Sequence, residues 1–186
     1  MTISARIPNI LTTARLAVSP LLVLVFLILP YSQASVVAAA IFAAATITDF
    51  LDGFLARRFD LISNLGKVLD PIADKALVVI ALLAVAANSG LDSWFLVPAT
   101  AIVFREIFIA GLREQMSGSS VELGTTGIGK TKAATQMAAI FLLLLSPALS
   151  NYSVEVELIG LFLLWAAAIL SVVSAVIYFR KTLPYL

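Results

Sequence analysis

Long apolar stretches are the feature that most limits how this chain can fold. The sequence has 186 residues, of which 61% are hydrophobic and 12% are charged. Its mean hydropathy of +1.07 lies outside the range of soluble domains. A helix needs roughly 17 to 25 apolar residues to cross about 30 Å of hydrocarbon, and lipid tolerates neither sheet edges nor bare loops. We therefore expect an all-α integral membrane protein with six transmembrane helices, near residues 12–29, 34–56, 68–88, 93–114, 131–150 and 156–179.

The breaks between these segments are short and rich in turn formers, so we expect a single transmembrane domain over residues 1–186. Residues 3–12 are predicted to form a short interfacial helix before the first span. The start of the chain also imitates a signal peptide, because basic residues and an apolar run over residues 16–29 precede Ser32-Gln33-Ala34. We retain this segment as part of the protein, because Pro8 and Asn9 belong to a longer motif.

The basic residues fall on one side of the predicted bundle, and the opposite loops carry none. By the positive-inside rule, this places both termini on the cytoplasmic side of a multi-pass protein of the inner membrane. Asp92, Glu155 and Glu157 are left on the other side. The twelve basic residues are Arg6, Arg15, Arg57, Arg58, Lys67, Lys75, Arg105, Arg113, Lys130, Lys132, Arg180 and Lys181.

The chain contains no cysteine and no histidine. This excludes disulfides, thiolate metal ligands, a cysteine nucleophile and the commonest general base. Any chemistry must therefore use carboxylates, basic side chains, hydroxyls or a metal ion that prefers oxygen ligands.

Four aspartates lie near the facing ends of two of these apolar segments, 34–56 and 68–88, where a carboxylate is costly. Asp49 and Asp52 recur on one helix face, as do Asp70 and Asp74. If the two helices pack side by side, the four carboxylates converge, and their mutual repulsion calls for a cation between them. An all-oxygen site suits Mg²⁺ or Mn²⁺. The alternative is that these acids are solvated loop residues, paired with Arg57, Arg58, Lys67 and Lys75.

The spacing around these aspartates resembles the signature of the CDP-alcohol phosphotransferase family. The pattern is Asp49-x-x-Asp52-Gly53-x-x-Ala56-Arg57, then Gly66-x-x-x-Asp70-x-x-x-Asp74. The resemblance implies the six-helix fold of that family, usually a homodimer. It implies two divalent ions held by Asp49, Asp52, Asp70 and Asp74, with Asp74 also the catalytic base. The CDP group would be bound by Asp49, Asp52, Gly53, Ala56, Arg57, Gly66 and Asp70.

Further motifs resemble one branch of the family, the bacterial phosphatidylglycerophosphate synthases. They are Ile7-Pro8-Asn9-x-Leu11-Thr12-x-x-Arg15, Leu69-Asp70-Pro71-x-Ala73-Asp74-Lys75, Arg105-Glu106-Ile107 with Leu112-Arg113-Glu114, and Gly129-Lys130-x-Lys132 with Gln136. The resemblance implies that CDP-diacylglycerol and glycerol 3-phosphate react to give phosphatidylglycerophosphate and CMP. The sequence departs from this branch at Ala133, where relatives commonly carry threonine.

A phosphorylated acceptor needs more than one cation, and arginine suits phosphate through bidentate contacts. The candidates are Arg105, Arg113, Lys130 and Lys132. Other roles are an ion pair of Arg105 with Glu106 or with an aspartate of the cluster, packing of Glu106 against Arg113, and membrane anchoring by the two lysines.

Three other functions compete with this hypothesis. Another family member could use inositol phosphate, serine or a cardiolipin-forming acceptor, although a neutral acceptor would leave the basic candidates without a purpose. Intramembrane charges also occur in ion-coupled transporters, but the two halves of the chain show no self-similarity. Residues 124–131 match the phosphate-loop pattern of nucleotide triphosphatases, but without the strand and soluble α/β core that the motif requires.

Overall fold

The computed structural model of this chain describes residues 7–59, 64–89, 92–116 and 127–185. Within the helices, the side chains of residues 7–9, 52, 54–59, 64, 65, 67, 89, 127 and 128 are not described. The described residues contain no strand, which confirms the predicted all-α class. Two short 3₁₀ turns cover Ser146–Ala148 and Leu183–Tyr185. The helices are α1 (Ile7–Val18), α2 (Leu21–Ile28), α3 (Tyr31–Phe59), α4 (Asn64–Ser89), α5 (Ser93–Gln115), α6 (Gly127–Leu145) and α7 (Ser153–Thr182).

Five segments of the described chain are long and apolar enough to cross a membrane, as expected for a multi-pass protein. They are Ile10–Ile28, Tyr31–Leu51, Ser93–Gln115, Gly129–Ala148 and Ser153–Tyr185. Helix α4 is 26 residues long but is not among these five. Its first half carries Asp70, Asp74 and Lys75. The predicted count of six spans therefore stays a prediction.

The predicted first span, 12–29, matches the apolar segment Ile10–Ile28, but its helix is divided in two and does not begin where the predicted interfacial helix over residues 3–12 would end. Helix α1 continues to Val18, and the chain then turns at Ser19 and Pro20 before α2 begins. Proline has no backbone N–H and its ring clashes with the preceding turn, so a helix breaks there. The Ser19 hydroxyl donates to the carbonyl oxygen of Arg15, 2.8 Å away, as α1 ends. Helix α1 packs against α3 and α4, so its position is set by protein contacts.

Small residues allow the helices of the core to approach closely. On α3, Ala34, Ala38, Ala39 and Ala45 are buried together with Phe42. The most extensive packing is between α6 and α7. Where they meet, Gly160 leaves no spare room, because an added Cβ would lie 2.9 Å from the side chain of Leu143.

Helices α5 and α7 run side by side in the same direction. Near the start of α5, the rings of Trp94 and Trp165 meet edge to face with centroids 5.9 Å apart. The indole N–H of Trp165 donates to the carbonyl oxygen of Trp94 at 2.9 Å. The opposite ends of these helices carry Arg113 and Arg180. We call the end of the bundle with Arg15, Arg113, Lys132 and Arg180 the basic end, and the end with the tryptophans the far end.

Candidate active site

Three of the four predicted aspartates converge on α1 at the basic end. Asp49 is supplied by α3, and Asp70 and Asp74 by α4. The Nη1 atom of Arg15 donates to Oδ1 of Asp74 at 2.9 Å, and also to Oδ1 of Asp49. The hydroxyl of Thr12, one turn earlier on α1, donates to Oδ1 of Asp70 at 2.5 Å. We call these five residues the aspartate cluster.

Arg15 occupies the centre of this cluster and is only 4% exposed. Asp49 and Asp74 therefore share one positive charge, which offsets the repulsion expected between the two carboxylates. Sequence reasoning used Arg15 only as a basic anchor and as part of a motif, and it missed Thr12 as a site residue. The available signal was their spacing, because residues 12 and 15 recur on one helix face.

The remaining members of the predicted CDP site are only partly described. Gly53 lies on α3 one turn after Asp49, and the buried Gly66 lies on α4 one turn before Asp70. The side chains of Asp52, Ala56 and Arg57 lie outside the described residues.

The side chains around Arg15 include donor types that a hard divalent ion prefers. The side chains around Arg15 offer carboxylate oxygens from Asp49, Asp70 and Asp74 and a hydroxyl from Thr12, as a hard divalent ion requires. However, no group of three or more acidic, histidine or cysteine side chains within the described ranges is arranged to hold a metal ion. Metal binding therefore stays a prediction. The side chain of Asp52, the fourth predicted ligand, lies outside the described residues.

A second charged cluster joins α5, α6 and α7. Glu106 Oε1 accepts from Arg105 Nη1 at 3.1 Å and also from Lys132 Nζ. Arg105 Nη2 donates to the hydroxyl of Ser174 at 3.1 Å. The side chains of Arg105 and Lys132 are 10% and 8% exposed, and that of Glu106 is 15% exposed. We call these four residues the arginine–lysine cluster.

The structure thus brings together two of the four predicted acceptor-binding residues. The alternative ion pair of Arg105 with Glu106 is also present. The predicted phosphate-binding role and the ion pair therefore concern the same side chain. Arg113 instead donates to the hydroxyl of Tyr178 at 3.1 Å, and its guanidinium carbon lies 5.4 Å from that ring centroid. In place of the alternative packing of Glu106 against Arg113, Glu106 contacts Arg105 and Lys132, and Arg113 contacts Tyr178. Lys130 is exposed near the start of α6.

Buried polar atoms without a hydrogen-bond partner lie on the helices that form the arginine–lysine cluster. Among the described residues they include Arg105 Nε, Gln136 Oε1 and Ser171 Oγ. Gln136 follows Lys132 by one helical turn, and Ser171 precedes Ser174 by about one turn. Leaving such an atom unpaired costs about 1–3 kcal/mol. The cluster is therefore suited to a polar ligand or to bound water.

Both clusters lie at the basic end, on helices that pack against each other. Helix α4 carries Asp70, Asp74 and Lys75. Helix α4 also packs against both α5 and α6. A molecule with a reacting hydroxyl and a phosphate could therefore contact Asp74 with one end and the arginine–lysine cluster with the other.

Comparisons with known proteins agree on one family. Residues 5–173 match the family described as CDP-alcohol phosphatidyltransferase. A protein of Cereibacter sphaeroides is 38% identical over 97% of this chain and 96% of its own length. One of Rickettsia bellii is 37% identical over 100% and 99%, and one of Salmonella choleraesuis is 41% identical over 92% of each. All three are named CDP-diacylglycerol–glycerol-3-phosphate 3-phosphatidyltransferase.

Proposed function

The chain belongs to the CDP-alcohol phosphatidyltransferase family, and from this membership we propose that it transfers the phosphatidyl group of CDP-diacylglycerol to glycerol 3-phosphate. The products are phosphatidylglycerophosphate and CMP. Relatives named for this reaction match over nearly their whole length. The structural observation that carries the choice of acceptor is the pair of buried cations, Arg105 and Lys132, held at one carboxylate.

The reaction needs one proton acceptor and a place for the leaving nucleotide. The hydroxyl oxygen of the acceptor attacks the phosphorus that carries diacylglycerol, and the bond from this phosphorus to the oxygen of CMP breaks. CMP leaves with that oxygen, and the hydroxyl proton passes to the carboxylate of Asp74. Arg15 lies 2.9 Å from Asp74 and fixes the orientation of this carboxylate.

Asp49, Asp52, Asp70 and Asp74 would hold two divalent ions, Mg²⁺ or Mn²⁺. When bound, such ions neutralise the pyrophosphate and the leaving phosphate. The CDP group would lie against the same aspartates, with Gly53, Ala56, Arg57 and Gly66 around it. Gly66 lies one turn before Asp70 on α4, and a glycine has no side chain to block a close approach of the ligand to the backbone.

The phosphate of the acceptor would bind at the arginine–lysine cluster. A guanidinium and an ammonium together can neutralise a dianion, and arginine can donate two parallel hydrogen bonds. The unpaired amide oxygen of Gln136 would accept from a hydroxyl group of the acceptor. Arg113 and Lys130 are further candidates at the same end of the bundle.

The lipid donor would enter from the side of the bundle. A groove of 240 Å³ between α3 and α6 is lined by apolar side chains, among them Phe42, Ile47 and Phe141. It reaches Thr46, within a turn of Asp49. An acyl chain in this groove would bring its glycerol phosphate to the aspartate cluster. The proposed setting is the inner membrane, with both termini and the active site cytoplasmic and the protein a homodimer.

An acceptor panel tests this proposal. The purified protein is incubated with CDP-diacylglycerol and either glycerol 3-phosphate, inositol 1-phosphate, inositol or serine, and CMP release is measured with Mg²⁺, with Mn²⁺ and with EDTA. We expect release only with glycerol 3-phosphate, and none with EDTA. Release with another acceptor alone would assign another member of the family. No release with any acceptor would contradict the transferase reaction.

A further inference from the structure

A second groove lies on the outer side of the helix pair α5 and α7. Its volume is 520 Å³, and eight of its ten lining residues are apolar. Phe104 and Phe108 stack with ring centroids 6.0 Å apart, and Phe179 lies 5.7 Å from Phe108. The small side chain of Ala175 leaves room beside these rings. This groove is separate from the one between α3 and α6, with which it shares no lining residue.

The two charged residues that line the groove differ in their contacts. The guanidinium of Arg105 is committed to Glu106 and Ser174 on the inner side of the helices. Arg180, near the basic end of α7, is exposed. In the part of the chain that the structure describes, no carboxylate pairs with it and no acceptor bonds it. The groove therefore combines an apolar, partly aromatic wall with one available guanidinium at its basic end.

This combination selects an amphiphile with an anionic head. A soluble anion would gain nothing from the phenylalanine wall, and a lipid without net charge would leave Arg180 without a full counter-charge. A packing helix is about 10–12 Å across with its side chains and could only lie over the mouth of the groove. A single flexible acyl chain can fill it. Arginine then holds a phosphate at the level where headgroups lie.

We propose that the groove between α5 and α7 binds an anionic phospholipid, with one acyl chain along Phe104, Phe108 and Phe179 and the headgroup phosphate at Arg180. The site is distinct from the proposed reaction centre, and its occupancy does not depend on turnover. Its wall nevertheless includes Arg105, so a lipid bound there packs against the back of the arginine–lysine cluster.

The test compares lipids and variants in detergent solution. The full-length protein is melted by circular dichroism with increasing dioleoyl-phosphatidylglycerol or dioleoyl-phosphatidylcholine, and the concentration that gives half of the stabilisation is recorded. We expect the anionic lipid to act at a lower concentration. Arg180→Ala should raise that concentration about fivefold for phosphatidylglycerol and leave phosphatidylcholine unchanged. The matched control, Lys181→Ala, removes a neighbouring exposed charge that does not line the groove, and should keep the preference.

A groove-filling variant tests the position of the acyl chain. Ala175→Phe should remove the stabilisation by phosphatidylglycerol. If this variant does not fold, Val172→Phe narrows the same groove from an exposed position. Equal responses to the two lipids, or equal effects of the Arg180 and Lys181 variants, would overturn the proposal in favour of diffuse surface charge. A groove-filling variant that retains the lipid response but changes the oligomeric mass would assign the groove to a protein contact instead.

Discussion

At the scale of single residues, Arg15 joins α1 to an aspartate on each of two neighbouring helices, Asp49 on α3 and Asp74 on α4. Periodicity placed Asp49 with Asp52 and Asp70 with Asp74, and the structure brings Asp49, Asp70 and Asp74 together. That Arg15 contacts two of them depends on how α1 crosses α3 and α4, which no local pattern encodes. The same holds for Glu106, whose neighbour Lys132 is on another helix.

Replacing Asp74 by asparagine keeps the shape of the side chain and removes its capacity to accept a proton. A positioned general base contributes about 10²–10⁴-fold to a rate. We expect Asp74→Asn to lower kcat by at least about a hundredfold, while CMP binding measured by calorimetry is largely retained. The matched control is Asp92→Asn, at the far end, where the carboxylate only caps α5. A near-normal rate for Asp74→Asn would exclude its role as the base.

Glu106 neutralises part of the charge that an acceptor phosphate would use. Replacing it by glutamine leaves Arg105 and Lys132 without a counter-charge, so phosphate binding should tighten. We expect Glu106→Gln to lower the KM for glycerol 3-phosphate about tenfold and to leave the KM for CDP-diacylglycerol unchanged. Glu114→Gln removes an exposed charge on the same helix and should change neither value. If Glu106→Gln lowers only stability, the cluster is structural.

At the scale of the helices, the boundaries followed from hydrophobicity, and the helix contacts did not. The predicted spans 93–114 and 156–179 compare well with α5 and α7, since polar residues mark their ends. The predicted first span, 12–29, corresponds to the apolar segment Ile10–Ile28. The turn at Ser19 and Pro20 that divides this segment into α1 and α2 was not predicted, because the proline was not weighed against the apolar run around it. Helix α1 is held to α3 and α4 by polar contacts from Thr12 and Arg15. We therefore expect a change of charge at these contacts to alter the stability of the helix packing.

Arg15→Ala would leave Asp49 and Asp74 close together without a cation between them. Breaking a buried ion pair costs about 3–5 kcal/mol. The two carboxylate side chains are 43% and 49% exposed, so we expect a smaller loss of about 1–3 kcal/mol in the free energy of unfolding after discounting for solvent screening. Mg²⁺ should then raise the melting temperature of Arg15→Ala more than that of the natural chain, since a divalent ion can replace the lost charge.

Arg15→Lys is the matched variant for this experiment. It keeps the positive charge but cannot reproduce the guanidinium geometry, and its melting temperature should lie between the other two. Melts by circular dichroism with MgCl₂ and with EDTA supply the values. An identical response to Mg²⁺ in all three proteins would show that the carboxylates around Arg15 do not take up the ion.

At the scale of the whole molecule, the tightest constraint is the packing of α6 against α7. The sequence predicted both helices but not this contact. Gly160 lies within an apolar run, and nothing in that run indicates that Leu143 packs against it. Which helices become neighbours is decided by such long-range fits. A family resemblance can point to the arrangement, but periodicity cannot.

A pair of glycine substitutions measures this packing. A Cβ at Gly160 would lie 2.9 Å from the Leu143 side chain and 3.4 Å from its backbone nitrogen. We expect Gly160→Ala to lower the free energy of unfolding by about 1–3 kcal/mol through overpacking. At Gly111 an added Cβ would meet nothing within 4 Å, so Gly111→Ala should raise stability by about 0.5–1 kcal/mol through helix propensity. Denaturant titrations compare the two, and equal effects would contradict the close α6–α7 contact.

The pairing of Trp94 with Trp165 gives the protein a built-in optical reporter. These are the two tryptophans of the chain, and they lie in contact at the far end of α5 and α7. Tryptophan fluorescence therefore arises from a single place, at the opposite end of the bundle from the aspartate cluster. Quenching by brominated lipids would measure the depth of that place in a bilayer. A shift in emission when a ligand binds at the basic end would reveal movement transmitted along the two helices.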